Sequence, residues 1–202
     1  MMTVADIEAV IAASGSDNLP AFGGKFEGGI HCQQIPDELA PCIHAILASG
    51  HDIASCLEIG VAAGGTTFLM NHFFSPERIV LVDDGKHHKV GLRPSVLTGI
   101  KYKEIVGRSC DLDVVSAVHE DSPYDIIIID SDHSYQNVSQ EIEKYLWMLS
   151  QGGFLIVHDS VAVDDVARIV KELKMKKALK FINEFVSKTH KPCGIALFQR
   201  GK

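Results

Sequence analysis

Apolar residues recur along this chain in two periods, and from residue 54 onward the two alternate. Short apolar runs at about 54–59, 78–83, 102–106, 124–130 and 153–158 have the length and β-branched content of strands. Between them, at about 65–74, 110–119, 134–149 and 163–176, apolar positions fall at helical spacing. Ile126-Ile127-Ile128-Ile129 shows no polar alternation, as in a strand covered on both faces. Such alternation predicts an α/β fold: a doubly wound, mostly parallel sheet with right-handed crossovers and helices on both faces. The end breaks the pattern. Residues 179–186 (LKFINEFV) and 193–199 (CGIALFQ) read as two strands joined by a short polar link with Pro192. No helix fits between them, which predicts an antiparallel hairpin at the sheet edge and about seven strands in all.

Ahead of the first strand, Val4, Ile7, Val10 and Ile11 give a helical pattern over 3–13, and a second runs from about Pro36 to Ser49, closed by Gly50. Residues 20–30, with four glycines, read as a loop. The expected division is an N-terminal helical extension, 1–50, packed on a core domain, 51–202. The interval 84–100 is poor in regular pattern, with one short helix expected after Pro94.

At 202 residues the chain is long enough for one domain with a real core. Its 19 Lys and Arg against 26 Asp and Glu give a net charge of −7, with no basic run. That argues against nucleic acid or an anionic membrane surface as partner. No segment has the apolar length of a membrane span, and no signal-peptide pattern opens the chain. The five cysteines are scattered, odd in number and free of Cys-x-x-Cys spacing, as expected of a reduced cytoplasmic protein.

The chemistry begins at Cys56-Leu57-Glu58-Ile59-Gly60-Val61-Ala62-Ala63-Gly64-Gly65-Thr66-Thr67. An apolar strand ends in glycines, and a helix follows at once. Glycines let backbone approach a ligand, and a helix start offers free N–H groups. A dinucleotide dehydrogenase would need Gly-x-Gly-x-x-Gly, which is absent. The spacing Glu-x-Gly-x-x-x-Gly instead resembles the first motif of class I S-adenosylmethionine-dependent methyltransferases. That resemblance implies a Rossmann-like fold and assigns Glu58, Gly60, Gly64 and Thr66 to S-adenosyl-L-methionine.

Asp83 ends the second strand, 23 residues after Gly60, where an acid can accept both ribose hydroxyls of such a ligand. Asp84 follows directly, but Asp83 closes the apolar run and is preferred. After the third strand comes Gly107-Arg108-Ser109-Cys110-Asp111, which by the same resemblance lies against the adenine, with Ser109 and Cys110 as its neighbours. Ser109 or Asp111 can equally serve as a helix N-cap.

The most distinctive segment is Ile129-Asp130-Ser131-Asp132-His133-Ser134-Tyr135, followed by the Gly152-Gly153 pair and Val157-His158-Asp159 at the next strand's end. The combination resembles the cephalosporin hydroxylase-like and small-molecule O-methyltransferase group, including sugar and macrolide O-methyltransferases. It implies O-methylation of a small-molecule hydroxyl, with Asp130 also among the S-adenosyl-L-methionine-binding residues and Asp130, Asp159 and His158 as candidate ligands of Mg²⁺ or another divalent cation. The catechol-type relatives place Asp-Asn where this chain has His158-Asp159, and an imidazole suits Mn²⁺, Fe²⁺ or Zn²⁺ better than Mg²⁺. The bland alternative is that both aspartates only cap strand ends. His133, with a usual pKa near ~6.5, is the candidate general base, with Asp130 beside it in the catalytic set; the same residues can also simply start the helix at 134–149.

Lys86-His87-His88-Lys89 and Arg93 form a basic cluster, read either as a solvated loop or as a lid that recruits an anionic acceptor. Trp147 sits at helical spacing with Ile142, Leu146 and Leu149 and is expected in the core. An NAD-dependent oxidoreductase and a non-catalytic nucleotide-binding module on the same fold are the rival functions. Homodimers are the commonest outcome for such a domain, and the sequence leaves the oligomeric state and the acceptor's identity open.

Overall fold

The computed structural model describes residues 2–16 and 28–201, so most of the loop expected at 20–30 lies outside the described residues. Its centre is one sheet of seven strands: β1 Ser55–Ile59, β2 Arg78–Asp83, β3 Lys103–Val106, β4 Tyr124–Ile129, β5 Leu149–His158, β6 Leu179–Phe185 and β7 Ile195–Arg200. The spatial order is β3-β2-β1-β4-β5-β7-β6. The first five run parallel. β7 lies antiparallel between β5 and the edge strand β6, as the terminal hairpin predicts.

Seven helices cover the sheet: α1 Val4–Ser14, α2 Pro36–Ala48, α3 Gly65–Phe74, α4 Arg93–Val96, α5 Leu112–His119, α6 Tyr135–Tyr145 and α7 Asp164–Leu173. Strand side chains alternate between faces. Cys56, Ile126 and Ile128 pack with Ile7, Leu39 and Leu69 of α1, α2 and α3. Leu57, Ile127 and Ile129 pack with Val114, Val138 and Val166 of α5, α6 and α7. Both faces are apolar, which is why β4 carries an unbroken isoleucine run.

Two expectations need correction. β5 starts at Leu149 rather than near 153, because its pairing with β4 jumps from Tyr124↔Leu149 to Ile126↔Phe154. Gly152, at φ +79, takes up the irregularity, so the glycine pair lies inside the strand. Trp147 is 52% exposed and stacks near His119, ring centroids 4.7 Å apart. The helical period that would turn it inward stops at Tyr145, and Leu146–Met148 form a 3₁₀ turn.

The N-terminal segment packs tightly over the start of α3. A Cβ on Gly65 would stand 2.6 Å from Cys32 Cα and 2.9 Å from the Ile30 carbonyl oxygen, both backbone atoms. Gly65→Ala is therefore expected to destabilise the fold by about 1–3 kcal/mol. Urea unfolding should show a lower midpoint at unchanged slope; an unaltered midpoint would contradict this packing. On α2, fully buried Glu38 accepts the N–H groups of Ser187 (2.8 Å) and Gly194 (3.0 Å), tying the loop before β7 to the N-terminal layer.

Candidate active site

The chain winds from β1 outward to β3 and then returns to β4 on the other side of β1. The crevice beyond the carboxyl ends of β1 and β4 is thus the switch point where open α/β sheets bind ligands. There Asp130 N–H donates to Ile59 O at 2.9 Å, and Gly60 N–H to Val82 O at 2.9 Å. Gly60 has φ +86, and a Cβ on it would lie 2.0 Å from the Asp130 carbonyl oxygen. The motif glycine is required both by backbone conformation and by the closeness of the two strand ends.

A cleft of about 510 Å³ opens over this point, within the ~300–1,000 Å³ common for small-molecule sites. Of the cofactor candidates, Glu58, Gly60, Thr66, Asp83, Ser109 and Asp130 line it. Gly64 stands behind that wall as the left-handed N-cap of α3, a Cβ there meeting Leu97. Cys110 turns away, its thiol 3.7 Å from Asn137 Oδ1. The Ser109 hydroxyl donates to Glu141, and Asp111 is the N-cap residue of α5. Glu58 is buried and accepts the Thr67 hydroxyl. Burial raises its carboxyl to about 8, favouring the protonated form.

Asp83 is more heavily engaged than a ribose acceptor needs to be. Its Oδ2 accepts Val61 N–H (2.9 Å) and Ala62 N–H (3.0 Å), and its Oδ1 accepts Gly85 N–H (2.8 Å). Arg93 Nη2 pairs with Oδ2 at 2.9 Å. One lone pair of Oδ1 remains for a ligand hydroxyl. Asp84 also lines the cleft, its outer oxygen paired with Lys86 Nζ at 2.8 Å.

At the ends of β4 and β5 four side chains converge. His158 Nδ1 lies 3.0 Å from Asp130 Oδ1 and 3.3 Å from Asp159 Oδ2. His133 Nε2 lies 2.9 Å from Asp159 Oδ2 and 3.6 Å from Asp130 Oδ1. One donor atom from each residue falls within a set no more than 4.8 Å across. None of these ring nitrogens makes a well-aligned hydrogen bond, although both nitrogens of His158 are buried. Burial opposes ionisation of Asp130, yet the positive charge of His158 and the facing His133 hold its carboxyl down at about 2. Asp159 is likewise held well below the carboxylate range by the two rings, against its burial. Burial works against the charge on His158 too, but Asp130 and Asp159 win and raise it well above the usual value. Asp130 and then Asp159 raise His133 to about 10. The two carboxylates thus favour the charged form of both rings, and His133 is not the free imidazole that its usual pKa suggests.

Three residues of the site carried no sequence signal. Gln34, 2% exposed, donates Nε2–H to Asp130 Oδ2 at 2.9 Å and leaves Oδ1 to the cluster. Glu141, fully buried on α6, gathers Ser109, Ser131 and Asn137 at one carboxylate oxygen. Arg93, which the sequence showed only as part of the basic cluster, is 2% exposed at the start of α4 and donates to Ala62 O in the turn beneath the cleft. His87 and His88 of that loop do reach the cleft wall. Ser134 caps α6 through Asn137 N–H, so the helix-start role of this segment and the placing of His133 in the cluster coexist.

A family model described as rhamnosyl O-methyltransferase/CmcI matches residues 28–191. No curated protein matches the sequence. An O-methyltransferase from Bacillus cereus, solved in complex with S-adenosylhomocysteine, is 18% identical, with 98% of this chain and 90% of that chain covered and a TM-score of 0.66. TomG, an O-methyltransferase of tomaymycin synthesis from Streptomyces achromogenes solved with S-adenosylmethionine, is 18% identical over 81% of each chain at TM-score 0.64. An rRNA methylase from Streptococcus thermophilus is 15% identical, covering 84% of this chain and 99% of its own, also at 0.64. At these identities the likeness is one of fold.

Proposed function

The chain belongs to the rhamnosyl O-methyltransferase/CmcI family and is an S-adenosylmethionine-dependent O-methyltransferase, and from that premise we propose how its residues share the work. Glu58, Gly60 and Thr66 shape the methionine end of the cofactor, and Gly64 sets the turn that presents them. Asp83, through Oδ1, takes a ribose hydroxyl, and Ser109 borders the adenine. The acceptor is a small molecule with a hydroxyl group, bound where the cleft meets the β4 and β5 ends. The observation that carries these assignments is the convergence of Asp130, His133, His158 and Asp159 beside the Glu58–Gly60 turn.

Methyl transfer is an in-line displacement: the acceptor oxygen attacks the methyl carbon, the carbon–sulfur bond breaks, and the hydroxyl proton must leave. Much of the rate comes from holding the two reactants in line and excluding water. Asp130, Asp159 and His158 would hold a divalent cation, His158 Nδ1 standing 3.0 Å from Asp130 Oδ1 and 3.3 Å from Asp159 Oδ2. Such an ion would lower the pKa of an acceptor hydroxyl and stabilise its oxyanion. His133, 37% exposed at the rim, is the group placed to receive the proton at Nε2. It can do so only when another positive charge satisfies the carboxylates that otherwise keep it protonated.

Calorimetric titration of metal-stripped protein with S-adenosylhomocysteine, with NAD as control, tests the cofactor assignment. Binding of the former alone, weakened at least about tenfold in Asp83→Ala, is expected. Binding of NAD without S-adenosylhomocysteine would overturn it.

A further inference from the structure

We propose that the cluster at the β4 and β5 ends selects a transition-metal cation over Mg²⁺, with His158 as the residue that sets the selectivity. The inference rests on the reading of Asp130, Asp159 and His158 as cation ligands and goes beyond it to the class of ion. Hard cations such as Mg²⁺ favour oxygen donors throughout, whereas imidazole nitrogen suits Mn²⁺, Fe²⁺, Co²⁺, Ni²⁺ and Zn²⁺. Here the innermost donor is an imidazole. His158 is 6% exposed, closes β5 between the two carboxylates, and has both ring nitrogens without an aligned hydrogen-bond partner. Its Nδ1 faces both carboxylates, at 3.0 and 3.3 Å, so a cation seated between them meets an imidazole nitrogen as well as their oxygens.

The neighbouring groups reinforce the choice. His133 stays at the edge of the same 4.8 Å set as the proton acceptor, so the donors to the ion are one imidazole nitrogen and two carboxylate oxygens. Asp130 is held by Gln34, whose Nε2–H occupies Oδ2 and aims Oδ1 inward, the outer support that metal-ligating carboxylates usually have. With two carboxylates and no third acid in the set, the cluster lacks the all-oxygen character that compensates Mg²⁺ for lost water. The β5 end is rigid, paired on both sides through Val157.

The test is titration of the metal-stripped full chain with Co²⁺ and with Mg²⁺ in separate calorimetric runs, with the visible spectrum of the Co²⁺ form recorded. Co²⁺ is expected to bind at least about 100-fold more tightly than Mg²⁺ and to give absorption bands of nitrogen–oxygen coordination. His158→Asp should narrow that ratio at least about tenfold, strengthening Mg²⁺ and weakening Co²⁺. Equal affinities in the unaltered protein, absence of Co²⁺ binding, or a ratio unchanged in a folded His158→Asp variant would each overturn the proposal. If His158→Asp does not fold, the ratio and spectrum of the unaltered protein decide alone. S-adenosylhomocysteine binding, measured on the same stripped sample, separates failure of the cation proposal from failure of the cofactor assignment.

Discussion

Asp159→Asn is expected to lower kcat/KM for methyl transfer by about 10²–10⁴, the range associated with losing acid–base assistance, while S-adenosylhomocysteine affinity changes little. Asparagine is the informative replacement because Asp159 has φ +56, a conformation that Asn tolerates with less strain than Ala. The variant keeps the size and backbone of the wild type and removes one negative charge from between two rings. His133 then loses its 2.9 Å partner, and the pull that raises its pKa to about 10 weakens. In the ion-free protein the paired His133 is a raised cation, so its stabilising contribution is complete below its unfolded pKa and lost as pH climbs toward about 10. A cation must displace protons from both rings, so its affinity in the unaltered protein should fall as the pH is lowered. Steady-state kinetics with a methyl acceptor and cation titration at two pH values check both parts. Retention of near-full activity in Asp159→Asn would remove the cluster from the chemistry.

The fold was legible because both sheet faces are covered. β-Branched runs, helical periods and the glycine turn all indicate the same architecture, and the antiparallel hairpin follows from the lack of chain between 186 and 193 for a helix. The strand-end acids were legible too, since an acid closing an apolar run must sit at the carboxyl edge. Their partners were not. Gln34 lies 96 residues from Asp130 in a segment without periodicity, so nothing local shows that its amide is buried against a carboxylate. His133 is legible as a candidate at the β4 end, but its protonation depends on the distances to Asp130 and Asp159, which only the packing of β4 against β5 determines. Trp147 shows the limit of periodicity itself: the pattern continues in the letters after the helix has ended in space.

Arg93→Ala is expected to have the largest effect on stability, about 3–5 kcal/mol, because it strips a buried carboxylate of its counter-charge. For a domain of this size that corresponds to a fall in Tm of roughly 6–20 °C. Arg93 Nε and Nη2 both donate to Ala62 O, at 3.0 and 2.8 Å, and Nη2 also faces Asp83 Oδ2 at 2.9 Å. Nη1 pairs with Glu104 on the neighbouring strand β3. One guanidinium thus joins the end of β2, the first half of β3 and the turn after β1. Ala62 itself sits at φ +48, a strained conformation for a residue with a Cβ, and Arg93 and Asp83 hold its carbonyl and its N–H respectively. Removing Arg93 leaves Asp83, 7% exposed, with backbone donors only, and frees the turn that lines the cleft. S-adenosylhomocysteine affinity should therefore fall together with Tm. Arg93→Lys keeps a charge but not the planar fork, so it should recover only part of either quantity. Glu104→Gln should cost less, since Glu104 is 33% exposed and water can replace its share. Thermal unfolding of the three variants with and without S-adenosylhomocysteine provides the comparison. An Arg93→Ala protein that melts within about 2 °C of the parent, less than 1 kcal/mol for this chain length, would mean that the Asp83 carboxylate is adequately held by backbone donors alone.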